Sequence, residues 1–316
     1  MQSFTTLTTE LQNTTGDNSS AQLTIFKKHL NDTNKMVCGL RPWAFLEITK
    51  TKLTVASQQG YQIPNSIQKL ADLYVTVGTK EYRPKLVESL KFWNYLISLD
   101  VSTSDVLQYI YRRGNQVLFY PTPTTAGSTI TFIGRKKIKD LSLADYTTGS
   151  IVSATIADET ITGTGTSWAT NSVGNFIRID YTNGDYQWYE INSITDTTHL
   201  ELVKPYEGTT FAAATEGYTI GEFSDIPSDY HNLLVYRPLA LYYASLENSV
   251  NSAMYWRLYD GGYEAGLSNK IGGMLGNMVD SELENFEGVY LDELQPTELS
   301  PNDLVINNRG YSGENW

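Results

Sequence analysis

His29, His199 and His231 are the only imidazoles in the 316-residue sequence, and Cys38 is its only thiol. A Ser/His/Asp nucleophile needs one imidazole held between a hydroxyl and a carboxylate. His231 follows Asp229 at a predicted helix start, the setting of a capping or surface residue. His29 falls in mid-helix and His199 beside a turn, so neither has the frame of a general base. No two histidines are close in sequence and a lone cysteine forms no thiolate pair, so zinc-ligand spacing is lacking. Thr162-Gly163-Thr164-Gly165-Thr166 is glycine-rich, but no lysine follows where a phosphate loop requires one, and no helix is predicted after it. Gly272-Gly273-Met274-Leu275-Gly276 has no preceding strand and reads as a flexible helix terminus. Asp180, Asp185 and Glu190 flank the aromatics Tyr181, Tyr186 and Trp188, as on a sugar-binding face, and two carboxylates from distant strands can serve glycoside hydrolysis. A solvated hairpin with amphipathic side chains is the simpler account. The expectation is no catalytic centre, no cofactor and no metal.

Composition narrows the classes further. A net charge of −12 argues against a protein that grips nucleic acid through its phosphates, although a surface past which DNA slides tolerates that sign. The acid is uneven: from Ser281 to Trp316 eight carboxylates face Arg309 alone, a net of −7 out of the −12. The 22 Tyr and 6 Trp outnumber the 10 Phe, which fits surfaces that become covered by partners and equally fits a β-rich fold with ordinary tyrosines. Met1 to Gly16 shows neither a basic start nor an apolar run, against a secretory signal. Apolar runs such as Leu233 to Tyr236 are cut by Arg237 before they could cross a bilayer, so a soluble chain without membrane contact is expected.

The elements follow from period and punctuation. Phe4, Leu7 and Leu11 mark one helix, and Leu23, Phe26, Leu30 and Val37 a second, parted by Gly16 to Ser20, which supplies a stop and an N-cap. From Trp43 to about Leu143 short strands alternate with turns, and Gly114-Asn115 forms a two-residue hairpin between Tyr109–Arg113 and Gln116–Tyr120. A short helix near Leu86 to Leu99, bearing Leu90, Trp93 and Ile97, interrupts them. Residues 149–221 are rich in Thr, Gly and β-formers, with four or five strands and a hairpin turn at Asn183-Gly184. Beyond Ile226-Pro227-Ser228 the helical period returns with Tyr230, Leu233, Leu234 and Leu241, and Pro238 should kink that helix. A second helix from Asn248 carries Val250, Met254, Leu258 and Ala265 on one face and Trp256, Tyr259 and Tyr263 on another, and glycines from Gly261 to Gly276 end or bend it. The fold class is α+β: a bundle of N- and C-terminal helices, a β-rich middle and an inserted small all-β domain. Its boundaries are 1–148 for the core, 149–221 for the insert, 222–280 for the C-terminal helices and 281–316 for an acidic extended tail.

Several segments, taken in order, resemble the head-to-tail adaptors of short-tailed bacteriophages, in particular the SU10-like adaptor family. They are Leu11 to Gly16 with Asp17-Asn18, Arg41-Pro42-Trp43, Gly60-Tyr61-Gln62-Ile63-Pro64 and the run Arg112 to Pro123. The insert adds Ile161 to Thr166, Val173 to Arg178 and Lys204 to Thr210, and Ile226 to His231 opens the returning helix. The resemblance covers most of the first 270 residues; Pro238 and the long acidic end depart from it.

What the resemblance implies is a structural virion protein and not an enzyme. It would be made in the host cytoplasm and form a homo-oligomeric ring, commonly of twelve, at the neck between capsid vertex and tail. The ring docks under the portal protein, carries tail nozzle or tail fibre proteins, and passes double-stranded DNA through its lumen during ejection without reading its sequence. A ring needs one subunit face to meet a different face of the next. Trp256, Tyr259 and Tyr263 are the expected ring contacts, with Met254 and Leu258 turned into the subunit's own bundle; a helix wholly central to its own core is the competing reading. Tyr290, Leu299, Leu304, Val305, Ile306, Tyr311 and Trp316 are the expected portal contacts. Tyr181, Asn183, Tyr186, Trp188 and Tyr206 are the expected exposed contacts for tail proteins. A carbohydrate- or receptor-binding virion protein using the aromatic insert is the alternative, and a glycan hydrolase relying on Asp185 or Glu190 is a third.

Overall fold

The computed structural model describes residues 1–99, 104, 106–180, 185–263 and 270–279. Helix α1 runs Phe4–Thr15. The Ser3 hydroxyl caps it by accepting from the Thr6 amide at 3.2 Å, and Gly16 ends it at φ 70°, where its N–H donates to the Gln12 carbonyl. Helix α2, Ser20–Gly39, starts with the Ser19 hydroxyl accepting from the Gln22 amide. Phe4, Leu7, Leu11, Phe26, Leu30 and Val37 are all buried, as their helical spacing predicts.

The middle of the chain builds two four-stranded sheets. Strands β1 (Glu47–Leu53), β2 (Gly60–Gln62), β3 (Ile67–Val77), β4 (Lys80–Tyr82) and β5 (Lys85–Val87) precede helix α3 (Leu90–Ser98). Strands β6 (Tyr109–Arg113), β7 (Gln116–Tyr120) and β8 (Thr129–Lys136) follow it. The sheet orders are β1-β8-β3-β4 and β2-β7-β6-β5. The predicted two-residue hairpin at Gly114-Asn115 pairs Arg113 with Gln116. Leu73, Val75, Ile130 and Phe132 of one sheet share a core with Tyr61, Ile110, Val117 and Phe119 of the other. Helix α3 covers the second sheet through Trp93 and Leu96, with the Trp93 indole stacked on Tyr111 at 5.4 Å. Leu90 and Ile97, read from sequence as its apolar face, are exposed instead, because the tyrosines of β6 and β7 select the Trp93 side.

The compositionally distinct segment closes into a barrel. Its strands are β9 (Ser150–Ala154), β10 (Thr160–Thr164), β11 (Phe176–Asp180), β12 (Tyr189–Ile194), β13 (His199–Leu202) and β14 (Phe211–Gly221), ordered β10-β13-β12-β11-β14-β9. Closure takes six strands, where the sequence reading had four or five. The strands it did not name are β9 and β10, which pair with each other and with β14 and β13 and so remove the open edges. The predicted Asn183-Gly184 turn lies outside the described residues.

Helix α4 (Leu233–Ser245) contains Pro238 and continues through it. Asn248 caps α5 (Ser249–Asp260) by accepting from the Asn251 amide. Helix α5 ends at Gly261 as its glycines predict, and a two-stranded ribbon, β15 (Gly261–Tyr263) with β16 (Lys270–Gly272), follows. The inward side of α5 is the reverse of the sequence reading. Ser252 and Tyr259 are buried, whereas Val250, Met254 and Leu258 are exposed at 77, 47 and 43%. The small Ser252 donates its hydroxyl to the Ala240 carbonyl at 2.9 Å, and Tyr255 stacks parallel to Tyr243, so α4 selects the small and aromatic side and leaves the aliphatic stripe outside.

The chain thus comprises an α+β fold in two compact units. One unit consists of residues 1–33 and the chain from Ser228 onward, and the other is Asn34–Pro227. In the second unit the barrel and the two sheets keep separate cores. No helix among the described residues is long and apolar enough to cross a membrane.

Candidate interaction surfaces

The stem of the barrel is held by a buried carboxylate. Glu222 is 3% exposed; one oxygen accepts from the Ser142 and Leu143 amides at 2.5 and 2.8 Å, and the other meets the Lys139 ammonium at 3.0 Å. Just inside, Tyr146 and Ile220 exchange both backbone hydrogen bonds, so the strands entering and leaving the barrel are tied side by side. A pocket of about 220 Å³ opens at this stem between Tyr146, Trp168, Asn175 and Glu222. The Glu222 oxygens already have protein partners.

The glycine-rich run packs the barrel rather than cradling phosphate. A Cβ on Gly163 would come within 2.7 Å of the Thr166 methyl and 2.8 Å of the Trp168 ring. Gly149 holds φ 86° and faces the Thr166 amide, where a Cβ would sit 2.6 Å away. Gly149 needs glycine because the backbone entering β9 touches the end of β10, and Gly163 because the Thr166 and Trp168 side chains fold over it.

Of the expected tail contacts, Tyr181 and Asn183 lie outside the described residues. Tyr186 is 60% exposed. Trp188 is half-buried, its ring met edge-on by Phe223 at 4.7 Å, with the Arg178 guanidinium 5.0 Å from its centre. Tyr206 corrects the expectation of exposure. It is 1% exposed and packs on Tyr189 and Phe211, because the turn before β14 folds its ring into the barrel core.

Of the expected ring contacts, Trp256 is 36% exposed, but Tyr259 is 2% exposed and belongs to its own helical unit, a correction with the same cause as the reversal of α5. Tyr263 lies in β15. A shallow groove of about 350 Å³ beside Trp256 is lined by Ala244, Glu247, Ser249, Ser252 and Ala253. The expected portal contacts Tyr290, Leu299, Leu304, Val305, Ile306, Tyr311 and Trp316 lie outside the described residues.

The groups that could do acid–base work have structural partners. His231 is buried and its Nδ1 accepts from the Gln2 amide at 3.1 Å. His199 pairs with Asp196 in a turn, where the Thr198 amide and hydroxyl and then the imidazole hold the Asp196 carboxyl down to about 2. Cys38 is buried and desolvation pushes its thiol up to about 12, far from a reactive thiolate. The Asp185 carboxylate takes the Tyr189 hydroxyl and the Gln187 amide. Among the described residues no three His, Cys, Asp or Glu side chains gather as a metal site.

One feature was missed by the sequence reading: α3 and its neighbours leave large apolar side chains exposed on both flanks of a polar outer strip of Lys91, Asn94 and Ser98. Leu86, Leu90, Phe92, Tyr95, Ile97 and Leu99 are all exposed, between 44 and 57%. The signal was present in the run Leu90 to Leu99, which holds more apolar residues than one buried helix face can use.

No curated protein matches the chain. A family profile described as SU10 adaptor protein matches residues 2–164, just over half of the 316. The matched stretch takes in α1, α2, both sheets with α3, and the first two strands of the barrel, and so the chain belongs to the SU10 adaptor protein family.

Proposed function

We propose that the protein is a ring-forming head-to-tail adaptor, twelve copies seated under the portal at the virion neck, carrying the tail nozzle and letting the genome pass through the lumen. Family membership carries this reading: it makes the chain a bacteriophage structural adaptor, a role that needs no catalysis. The exposed stripe on α5 supports self-association, since large apolar side chains at 43 to 77% exposure on one helix face are the usual mark of a surface awaiting a partner. Trp256, exposed on the other side of α5 from that stripe, is retained as a ring contact, whereas Tyr259 is not. A net charge of −12 suits a channel that lets DNA slide rather than one that holds it.

The barrel is the proposed seat for nozzle or fibre proteins, through Tyr186 and Trp188 and the neighbouring Tyr181 and Asn183. The segment from Tyr290 to Trp316 is the proposed portal contact, and multiplication of weak contacts around a ring offsets what each loses in ordering a chain end. The carbohydrate-binding alternative gains no support, because Trp188 is covered on two sides and Tyr206 is in the core. Negative-stain imaging of the purified chain, alone and with portal, tests the proposal. Rings that cap the portal are expected; a monomer that ignores the portal overturns it.

A further inference from the structure

We infer that residues 222–225 form a joint that couples the barrel face bearing Trp188 to the C-terminal end of α2, so that displacing that face loosens the helix end. Glu222, Phe223 and Ser224 are 3, 7 and 7% exposed although no helix or strand contains them. Irregular connections normally run over the surface. Here consecutive side chains each grip a different part of the fold. Glu222 clamps the chain entering the barrel at Ser142 and Leu143, and its partner Lys139 also donates to the Asn175 side-chain oxygen at 3.3 Å. Phe223 meets the barrel, edge-on to Phe176 at 5.2 Å and to Trp188 at 4.7 Å. The Ser224 hydroxyl donates to the Asn34 side-chain oxygen on α2 at 2.7 Å. Asp225 pairs with Lys136 at the end of β8.

The barrel and the sheets keep separate cores, so the stem carries the connection between them. Phe223 and Ser224 are adjacent, and a shift of Phe223 out of its aromatic seat moves the Ser224 hydroxyl with it. A hydrogen bond of this length is lost within about an ångström of displacement. The same Asn34 oxygen accepts from the Cys38 thiol at 3.7 Å, and Asp225 and Lys136 both act on that thiol electrostatically. The only cysteine of the chain thus sits at the far end of the joint and reports its state. Under the proposed function Trp188 belongs to the seat for tail proteins, and the joint would carry occupancy of that seat to α2. That consequence rests on the proposed function, whereas the joint itself does not.

The test uses the full chain and the disulfide reagent dithiodipyridine in native buffer, with absorbance of the released thiopyridone reading the rate at Cys38. Burial pushes this thiol up to about 12, so a closed joint reacts slowly and an opened one fast. Trp188→Ala and Phe223→Ala are expected to speed the reaction at least about tenfold. Ile161→Val, which thins the barrel core at β10, is expected to leave it unchanged. Phe223→Leu takes the place of Phe223→Ala where the latter does not fold. An unchanged rate for Trp188→Ala overturns the coupling, whatever the Phe223 variants do. Equal acceleration by Ile161→Val also overturns it, because the thiol would then follow general loosening of the barrel. The rates need neither rings nor tail proteins, so their failure leaves the proposed function standing, and a chain that forms no rings leaves the joint to be judged on these rates alone.

Discussion

Tyr259 illustrates how little a single residue's type reveals about its partners. Its hydroxyl is buried with no hydrogen-bond partner among the described residues, and burial pushes its ionisation up to about 12. An unsatisfied buried hydroxyl costs roughly 1 to 3 kcal/mol, so Tyr259→Phe is expected to leave stability unchanged or raise it by about 1 kcal/mol. Tyr259→Ala is expected to lose about 3 to 5 kcal/mol through the cavity left behind. Urea unfolding of the two variants checks this, and a large loss for Tyr259→Phe would mean the hydroxyl has a partner within the folded chain. His29 gives a pH dependence. Burial, with Lys28 and Arg237 nearby, holds its ionisation below the ordinary value of 6.5. The unfolded chain therefore takes up this proton first as pH falls, and stability drops from about pH 6.5 down through the lowered value. His29→Gln should flatten that part of the curve between pH 7.5 and 5, measured by urea midpoints. At this scale what could be counted in the sequence was the supply of chemistry-bearing side chains, three imidazoles and one thiol. It was not legible for Tyr206, because its neighbours Tyr189 and Phe211 are distant in sequence and only barrel closure brings them together.

Elements whose signals are local were read well. Gly16 stops α1, Ser19 caps α2 and Asn248 opens α5 where the sequence placed these boundaries, and the Gly114-Asn115 hairpin sits in the predicted register. The reading failed where tertiary contact chooses between two plausible faces. Val250, Met254 and Leu258 repeat every four residues like a core stripe, yet α4 receives the opposite side, because Ser252 allows close approach and Tyr255 stacks on Tyr243. The glycines of the barrel yield a prediction at this scale. Gly149→Ala must place a Cβ 2.6 Å from the Thr166 amide at φ 86°, which combines a left-handed backbone with overpacking. A loss of about 2 to 4 kcal/mol is expected, read as a fall in the unfolding midpoint of the barrel. Gly174→Ala is the control, since its φ is 78° but nothing lies within 4 Å of its Cβ. It should lose only the backbone part, about 1 to 2 kcal/mol.

At the scale of the whole molecule, the barrel can be separated from the sheets on physical grounds. Its core of Ile151, Ile161, Ile177, Leu200, Tyr206, Tyr218 and their neighbours draws nothing from the core between the two sheets. Its two ends already lie together, since Tyr146 and Ile220 exchange backbone hydrogen bonds. Excising residues 149–217 and joining the ends with a few glycines therefore leaves that bridge, the Glu222 clamp on Ser142 and Leu143, and the Lys136–Asp225 pair at 2.5 Å in place. The excised chain is expected to fold, form rings and bind portal, while nozzle attachment fails. Loss of the rings would mean that the barrel builds the ring rather than hanging from it. Truncation after Gly288 probes the other end. It removes Tyr290, Leu299, Leu304, Val305, Ile306, Tyr311 and Trp316 from every subunit, so the loss is multiplied around the ring, and portal affinity should fall at least about a hundredfold while the rings persist. Sedimentation of ring and portal mixtures reads both quantities at once, and unchanged co-sedimentation of the truncated ring would remove the C-terminal segment from the portal contact.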